Sequence, residues 1–204
     1  MTAMTLYGST TSPFVRLCRL VIAHHGLTGA VRLQPIDTEG ERAALRAKNP
    51  LGKIPVLETE EGEMIFDSPV ICDYLDNLGQ GKSLFSHETM SPWRIRTLLA
   101  LSNGVLDAAV ARAMMLLRTP DPEDQSQRWM DRWLENVCVG LDAMGETFAE
   151  VRDSGTIAAL SFPVTLDYLS FRVPELDWKG AQPEMAAWAE EALQQPQFVD
   201  TDPR

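Results

Sequence analysis

Four hydroxyl side chains follow one another at residues 9–12, in the order Ser9, Thr10, Thr11 and Ser12, directly ahead of Pro13. The preceding "MTLYG" (4–8) has the alternation of a short strand, and the residues after Pro13 carry apolar side chains at helical spacing. Hydroxyl groups donate hydrogen bonds to anions, and the free N–H groups of a first helical turn attract negative charge. The chemistry open to this cluster is the stabilisation of an anion where a strand ends and a helix begins.

A second helix start brings an acid and a hydroxyl together. Asp67 and Ser68 precede Pro69, and a serine N-cap followed by proline is a usual way to begin a helix. The simplest interpretation is capping by Ser68, with Asp67 solvated beside the positive end of the helix. The same arrangement can also bind a zwitterion, because the helix N-terminus attracts a carboxylate and Asp67 can take up an ammonium.

The charge of the chain is unevenly distributed. The formal net charge is −11, which disfavours a nucleic-acid partner because such binding depends largely on Lys and Arg. Residues 1–56, however, hold seven Lys or Arg side chains against three Asp or Glu. A locally basic segment in an acidic protein suits a small anionic ligand better than a polymer.

The cysteines and histidines favour structural roles. Three cysteines, widely separated and each inside an apolar run, predict buried thiols in a reducing cytosol: Cys18, Cys72 and Cys138. His24 and His25 end the first helix and are interpreted as a solvated pair that complements the helix dipole, with no third ligand for a metal. No run approaches eighteen consecutive apolar residues and no secretory signal is visible, so we expect a cytoplasmic protein without a membrane span.

The elements that position these groups change character near residue 80. Before it, the patterns predict strands and helices in the order βαβαββα, with strands at 4–8, 31–37, 53–59 and 63–67 and helices at 13–25, 41–49 and 68–79. This order predicts a parallel strand pair joined through a helix, with an antiparallel hairpin beside it. After it, a polar linker at 80–91 leads into an all-α segment at 92–204, in which the nearly continuous apolar run at 156–172 is the expected core helix.

Three segments, in this order and spacing, resemble the N-terminal domain of cytosolic glutathione S-transferases: "STTSPFVR" (9–16), "NPLGKIPVL" (49–57) and "FDSPVICDYL" (66–75). The helical half is similar to theirs as well, especially "LDYLSFR" (166–172). The resemblance covers essentially the whole chain and is to the bacterial serine-using type, with tau-, theta- and zeta-like motifs. It implies a thioredoxin-like domain at 1–79, an all-α domain after the linker, and a homodimer.

The resemblance also implies that the first domain binds glutathione. The family's proline at Pro55 is cis, and the backbone of Ile54 ahead of it then pairs with the cysteinyl unit; from the residues alone, a trans proline at a strand start is the alternative. Asp67 and Ser68 would hold the γ-glutamyl end, although the family more often has Glu at the first of these positions. Lys53 would meet the glycine carboxylate.

Arg42 and Lys48 are alternatives to Lys53 for that carboxylate. No metal enters this scheme, and glutathione is the co-substrate.

The hydroxyl cluster acquires a specific role from the resemblance. The reactive form of glutathione is its thiolate, and a free thiol titrates near ~8.5. A hydroxyl donor to the charged sulfur favours the thiolate by roughly 1.5–3 kcal/mol, about one to two pK units. Matching "SPF" to tau-type enzymes gives this role to Ser12, whereas the S-x-x-S spacing of theta and zeta types gives it to Ser9. Tyr7 lies within the strand, ahead of the junction, and is a poor candidate.

We therefore expect a glutathione S-transferase that adds the thiolate to a small hydrophobic electrophile, held mainly by the all-α domain. A glutathione-dependent isomerase or dehalogenase is the alternative that the zeta- and theta-like spacing permits. A non-catalytic binding protein of the same fold is a third candidate. Such proteins often lose the hydroxyl or the acidic residue before serine, and this chain keeps both.

Overall fold

Four short strands form one mixed sheet in the first part of the chain. They are β1 (Met4–Gly8), β2 (Val31–Pro35), β3 (Val56–Glu58) and β4 (Met64–Ile65), and their order across the sheet is β2-β1-β3-β4. β1 pairs in parallel with β2, whereas β3 pairs antiparallel with both β1 and β4. The computed structural model describes residues 4–204. The predicted thioredoxin-like arrangement of the sheet is confirmed.

Three helices accompany this sheet: α1 (Pro13–His24), α2 (Arg42–Lys48) and α3 (Ser68–Leu78), with a single 3₁₀ turn at Leu27–Gly29. α1 begins as predicted, with Ser12 as N-cap and Pro13 in the first turn, and it is followed by Gly26 at φ 66°. α1 packs against α3, where the Cys18 and Cys72 sulfur atoms lie 3.9 Å apart. Both helices contribute fully buried side chains to the core, among them Leu17, Ile71 and Leu75.

The start of α3 differs by one residue from the prediction. Asp67 occupies the N-cap position, with extended backbone angles, and Ser68 is already the first helical residue. The Asp67 side chain accepts no capping hydrogen bond, and the Ser68 residue is buried. Ser68 is therefore not the cap, and the Asp67 carboxylate remains available at the helix N-terminus.

The rest of the chain is mostly helical: α4 (Pro92–Arg118), α5 (Gln127–Val151), α6 (Ile157–Arg172), α7 (Trp178–Ala181), α8 (Pro183–Leu193) and α9 (Pro196–Val199), with a 3₁₀ turn at Pro122–Asp124. α6 is the expected core helix, since most of its side chains are buried and it continues through Pro163. Among the described residues, α4 is the one helix long and apolar enough to cross a membrane by length and composition alone. α4 packs against α5 and α6.

The chain divides into two compact units. The first unit runs up to Phe85 and also contains Gln194–Arg204, and the second unit is Ser86–Leu193. Residues 79–91 contain neither helix nor strand, and the boundary falls within this segment. Residues 194–204 were expected to belong to the helical domain, whereas their contacts place α9 and the residues after it on the first unit.

Candidate active site

The hydroxyl cluster occupies a tight loop between β1 and α1. An added Cβ at Gly8, the last residue of β1, would lie 2.4 Å from a methyl carbon of Val15, so this strand end accepts only glycine beside the helix. Within the loop, the Ser12 N–H donates to the Ser9 carbonyl at 3.1 Å. These contacts fix the loop against the first turn of α1 and determine where its hydroxyls lie.

The two candidate serines differ in what their hydroxyls already contact. The Ser12 oxygen accepts a hydrogen bond from the Val15 N–H at 3.4 Å, so its own hydrogen is free to be donated elsewhere. The Ser9 oxygen lies 2.9 Å from the Thr11 hydroxyl and also accepts from the Thr11 N–H at 3.3 Å. The Ser9 hydroxyl is therefore engaged within its own loop, whereas the half-buried Ser12 hydroxyl sits at the helix N-terminus as a potential donor.

The Tyr7 hydroxyl is already paired within the sheet. It donates to a carboxylate oxygen of Glu58 at 2.7 Å. The Lys48 ammonium lies 3.4 Å from the same oxygen and 4.0 Å from the centre of the Tyr7 ring. The hydrogen bond from Tyr7, with the Lys48 charge beside it, lowers the pKa of Glu58 below its usual value. The Tyr7 hydroxyl is therefore engaged with Glu58, which agrees with the expectation from the sequence that Tyr7 is a poor candidate for stabilising the thiolate.

The lowered pKa of Glu58 predicts a pH dependence of stability. Because the folded state holds the proton less tightly than the unfolded state, Glu58 stabilises the fold above its usual pKa of 4.5, and this contribution disappears as the pH falls through the folded-state value. Below about pH 5, the unfolding free energy of Glu58→Gln should fall less than that of the wild type. The difference between the two falls should be about 1 kcal/mol or less, because the Glu58 side chain is a third exposed. Urea unfolding at several pH values measures this, with the exposed Glu60→Gln as control. An unchanged pH profile in Glu58→Gln would contradict the assignment.

The loop before β3 is organised around a residue that the sequence analysis did not single out. Asn49 is buried, and its amide donates to the Lys53 carbonyl at 2.9 Å while its side-chain oxygen accepts from the Leu51 N–H at 3.0 Å. Gly52 has φ 65°, which other residues adopt rarely. An asparagine before Pro50, with a glycine three residues after it, is the local signal that would have indicated this turn.

The peptide bond between Ile54 and Pro55 is cis, as the resemblance implied. Among residues 4–204, neither the N–H nor the C=O of Ile54 has a hydrogen-bond partner. The Lys53 side chain is exposed. Near the other helix start, the peptide bond between Phe66 and Asp67 is also cis, and the Asp67 side chain is exposed.

The strand register brings the predicted site residues to one end of the sheet. Tyr7 pairs with Val56 across β1 and β3, and Leu57 pairs with Ile65 across β3 and β4. Because both pairs are antiparallel, three segments meet where β1 ends, β3 begins and β4 ends. They carry all the site residues predicted from the sequence: Ser9, Ser12, Lys53, Ile54, Pro55, Asp67 and Ser68.

The buried cysteines have no part in this site. The sulfur atoms of Cys18 and Cys72 lie 3.9 Å apart in the core, and the Cys18 thiol is 4.0 Å from the Ser68 carbonyl. The hydrogen bond with Cys18, together with burial, raises the pKa of the Cys72 thiol well above its usual value, so it stays protonated and unreactive. The prediction of buried thiols is confirmed for this pair, but Cys138 is only half-buried.

The interpretation of both histidines as solvated is wrong for His25. Its ring is buried, and Nε2 lies 2.8 Å from a carboxylate oxygen of Asp76 on α3. The same carboxylate accepts from the Ser83 hydroxyl at 2.6 Å and from the Leu84 N–H at 2.7 Å. This Asp76 network ties the end of α1 and the segment after α3 together. No group of three or more potential metal ligands occurs within residues 4–204.

Sheet order, helix placement and the cis-proline loop define the first unit as thioredoxin-like. The family model described as "Glutathione S-transferase, N-terminal domain" matches residues 6–83. A crystal structure of a glutathione transferase family member from Pseudomonas fluorescens Pf-5, with bound glutathione, is 35% identical, covers 99% of this chain and 100% of that one, and superposes with a TM-score of 0.92. The chain therefore belongs to the glutathione S-transferase family.

Two curated relatives extend the comparison. The uncharacterized GST-like protein YibF of Escherichia coli (strain K12) is 29% identical over 98% of each chain. Maleylacetoacetate isomerase of Pseudomonas aeruginosa is 29% identical over 66% of this chain and 64% of that protein.

Proposed function

We propose that the protein is a glutathione transferase in which Ser12 stabilises the glutathione thiolate for attack on a small hydrophobic electrophile. The observation that carries this proposal is the convergence of three segments at one end of the sheet. They supply a hydroxyl at the start of α1, an unpaired backbone unit at Ile54 and a carboxylate at the start of α3. The relative with bound glutathione supports the choice of ligand.

Each part of glutathione has a matching group in the first unit. The N–H and C=O of Ile54 would pair with the cysteinyl unit, and Pro55 would hold that backbone in place. The Asp67 carboxylate would take up the γ-glutamyl ammonium, while the Ser68 N–H at the start of α3 would receive the carboxylate. Lys53 is exposed and free to meet the glycine carboxylate.

Of the two alternatives to Lys53, Lys48 is the weaker, because its ammonium already contacts Glu58 and the Tyr7 ring. Arg42, at the start of α2, is exposed and remains an alternative.

Ser12 is a better donor to the thiolate than Ser9. Its oxygen is fixed by the Val15 N–H, which leaves the hydroxyl hydrogen for the sulfur. The thiol proton would pass to solvent, and the thiolate would form the new carbon–sulfur bond as the leaving group departs. A hydroxyl donor together with the helix N-terminus is sufficient for this step, so neither a general base nor a metal is required.

Two measurements test the proposed function. Isothermal titration calorimetry with glutathione tests the binding site, and conjugation of glutathione to a chromogenic aryl halide tests transfer. Binding together with turnover is the expected result. Binding without turnover would favour the glutathione-dependent isomerase or dehalogenase, in keeping with the maleylacetoacetate isomerase relative, or a non-catalytic binding protein. Absence of heat with millimolar glutathione would overturn the proposal.

Asp67→Ala is expected to weaken glutathione binding by about tenfold. A charge-assisted hydrogen bond contributes roughly 1.5 kcal/mol or more, and 1.4 kcal/mol corresponds to a factor of ten in Kd. Stability should change little, because Asp67 is exposed and its side chain makes no capping bond. The same titration measures Kd, and Glu63→Ala, which removes an exposed acid just before β4, is the control. Equal affinity in Asp67→Ala and the wild type would remove Asp67 from the site.

We infer that two copies of the chain associate as a homodimer, the assembly typical of the family. Each unit has a groove with an exposed apolar side chain. A groove of about 480 Å³ beside β4 and α3 includes Val70, and one of about 1000 Å³ between α4 and α5 includes Val139. We propose these two grooves as parts of the contact surface between the copies. Sedimentation equilibrium would distinguish a dimer from a monomer.

We also place the protein in the cytoplasm. This proposal rests on the three widely separated cysteines of the sequence, which are typical of proteins in a reducing compartment. Fractionation of cells that express the protein would test this location.

A further inference from the structure

The last residues of the chain, 194–204, pack on the first unit and are here called the C-terminal strap. The strap contains α9, and α9 contacts α1. Phe198 and Thr201 are its buried residues, at 2% and 4% exposure. The strap is therefore an integral part of the unit that carries the candidate active site, although it follows the second unit in sequence.

Arg16 of α1 holds the strap through a buried guanidinium group. This residue is only 3% exposed, its Nη2 donates to the Phe198 carbonyl at 3.2 Å, and its Nε donates to the Thr201 hydroxyl at 3.4 Å. The guanidinium carbon also lies 6.0 Å from the centre of the Phe198 ring. Burying a guanidinium is costly unless its N–H groups are hydrogen-bonded, and the strap supplies two of these partners.

A second arginine contacts the same part of the strap from the next turn of α1. Arg19 donates from Nη2 to the Asp200 carbonyl at 2.7 Å and from Nη1 to the Thr201 carbonyl at 3.4 Å. Two neighbouring arginines thus bind backbone carbonyls at the end of α9. The last carbonyls of a helix lack N–H partners further along that helix, and the two arginines donate to three carbonyls at and just after the end of α9. The Phe198 carbonyl also accepts from the Thr201 N–H at 3.3 Å.

The contact between Arg16 and the strap is one helical turn from Ser12. The Arg16 N–H donates to the Ser12 carbonyl at 3.0 Å, and the Val15 N–H beside it donates to the Ser12 hydroxyl oxygen. In a helix, residues four apart lie on the same face, and side chains lean toward the N-terminus. Any displacement of Arg16 therefore moves the turn that orients the candidate hydroxyl.

We propose that Arg16 is a positioning residue for catalysis, which uses the C-terminal strap as an anchor to hold the first turn of α1 and the Ser12 hydroxyl in place. This inference rests on the proposed glutathione transferase function. Arg16 acts through the backbone of α1 and through Ser12, and the strap acts through Arg16. The chain end thereby becomes part of the catalytic apparatus without contacting the substrate.

Two variants test the inference in the full-length protein. Arg16→Lys keeps the positive charge but cannot form both hydrogen bonds, because lysine lacks the planar fork of donors. Thr201→Val removes one partner on the strap and leaves Arg16 unchanged. Arg32→Lys, at an exposed position on β2, is the matched control. For Arg16→Lys we expect kcat for aryl halide conjugation to fall about tenfold, with KM for glutathione within about twofold of the wild type, because small misplacements of a catalytic group are costly.

The pH profile of kcat/KM and hydrogen exchange separate positioning from general stability. In Arg16→Lys the apparent pKa of the reacting thiol should rise, and amide exchange in residues 13–20 should quicken while residues 68–78 stay protected. Thr201→Val should change both readouts in the same direction, and Arg32→Lys should change neither. A lower melting temperature with an unchanged pH profile and unchanged kcat would overturn the inference. The exchange measurement needs no glutathione, so it also tests the anchor if the wild type proves unable to bind glutathione.

Discussion

Ser12→Ala should lower kcat by about 10- to 100-fold while leaving the affinity for glutathione within about twofold of the wild type. In the proposed mechanism the hydroxyl donates to the charged sulfur rather than to the peptide part of the ligand, so its loss should raise the pKa of the bound thiol by about one to two units. Each unit lowers the thiolate fraction about tenfold at a pH below that pKa. The ultraviolet absorbance of the bound thiolate, followed against pH, measures the shift, and steady-state kinetics measure kcat.

Two further variants sharpen this prediction. Ser12→Thr keeps both a hydroxyl and an N-cap oxygen, so it should retain much more activity than Ser12→Ala. Ser9→Ala removes a hydroxyl that is already engaged with Thr11 and should have the smaller effect. Because Ser12→Ala also removes the cap of α1, it should lower the unfolding free energy by about 1 kcal/mol. The kinetic assays should therefore be run well below the melting temperature of this variant. A larger loss of turnover in Ser9→Ala would transfer the role to Ser9.

Asp76→Ala should cause the largest loss of stability, about 3–5 kcal/mol. The Asp76 carboxylate is 4% exposed and accepts hydrogen bonds from His25, Ser83 and the Leu84 N–H. Its removal leaves two buried donors, His25 Nε2 and the Leu84 N–H, and the half-buried Ser83 hydroxyl without their acceptor. Removing one partner from a buried polar pair costs about this much. Urea unfolding measures the change in unfolding free energy, which we expect as a lower midpoint with an unchanged slope.

The control for Asp76→Ala lies on the same helix. Asn77 is exposed, and its side-chain amide donates to Asp73 one turn away, so Asn77→Ala should change the unfolding free energy by less than about 0.5 kcal/mol. Asp76→Asn keeps one acceptor oxygen and should fall between the two. A loss below 1 kcal/mol in Asp76→Ala would mean that the Asp76 network contributes little to the first unit.

Features governed by local chemistry could be predicted from the sequence. The start of α1 follows from Ser12 and Pro13, and its end from Gly26, because capping depends on residues within one turn. The cis bond at Pro55 followed from the family motif. The cap of α3 was misplaced by one residue because both Asp67 and Ser68 are suitable side chains, and only the backbone conformation distinguishes them.

Features governed by distant partners could not be predicted. His25 was expected in solvent because a histidine at a helix end usually complements the dipole, and its partner Asp76 is 51 residues away. Arg16 and Arg19 were counted only as positive charge near an anionic ligand, whereas their partners lie more than 180 positions along the chain. One local signal for Arg16 was available, since it lies between the buried residues Val15 and Leu17.

The attachment of the chain end to α1 has a consequence for biosynthesis. Because Arg16 is synthesised 182 residues before Phe198 and 185 before Thr201, a nascent chain cannot form these contacts until residues 194–204 have left the ribosome. Removal of residues 194–204 would leave the second unit complete and would take away the partners that Arg16 and Arg19 bind on the C-terminal strap. An affinity tag joined directly after Arg204 would lie close in sequence to Thr201, so tags for the assays proposed above belong at the N-terminus.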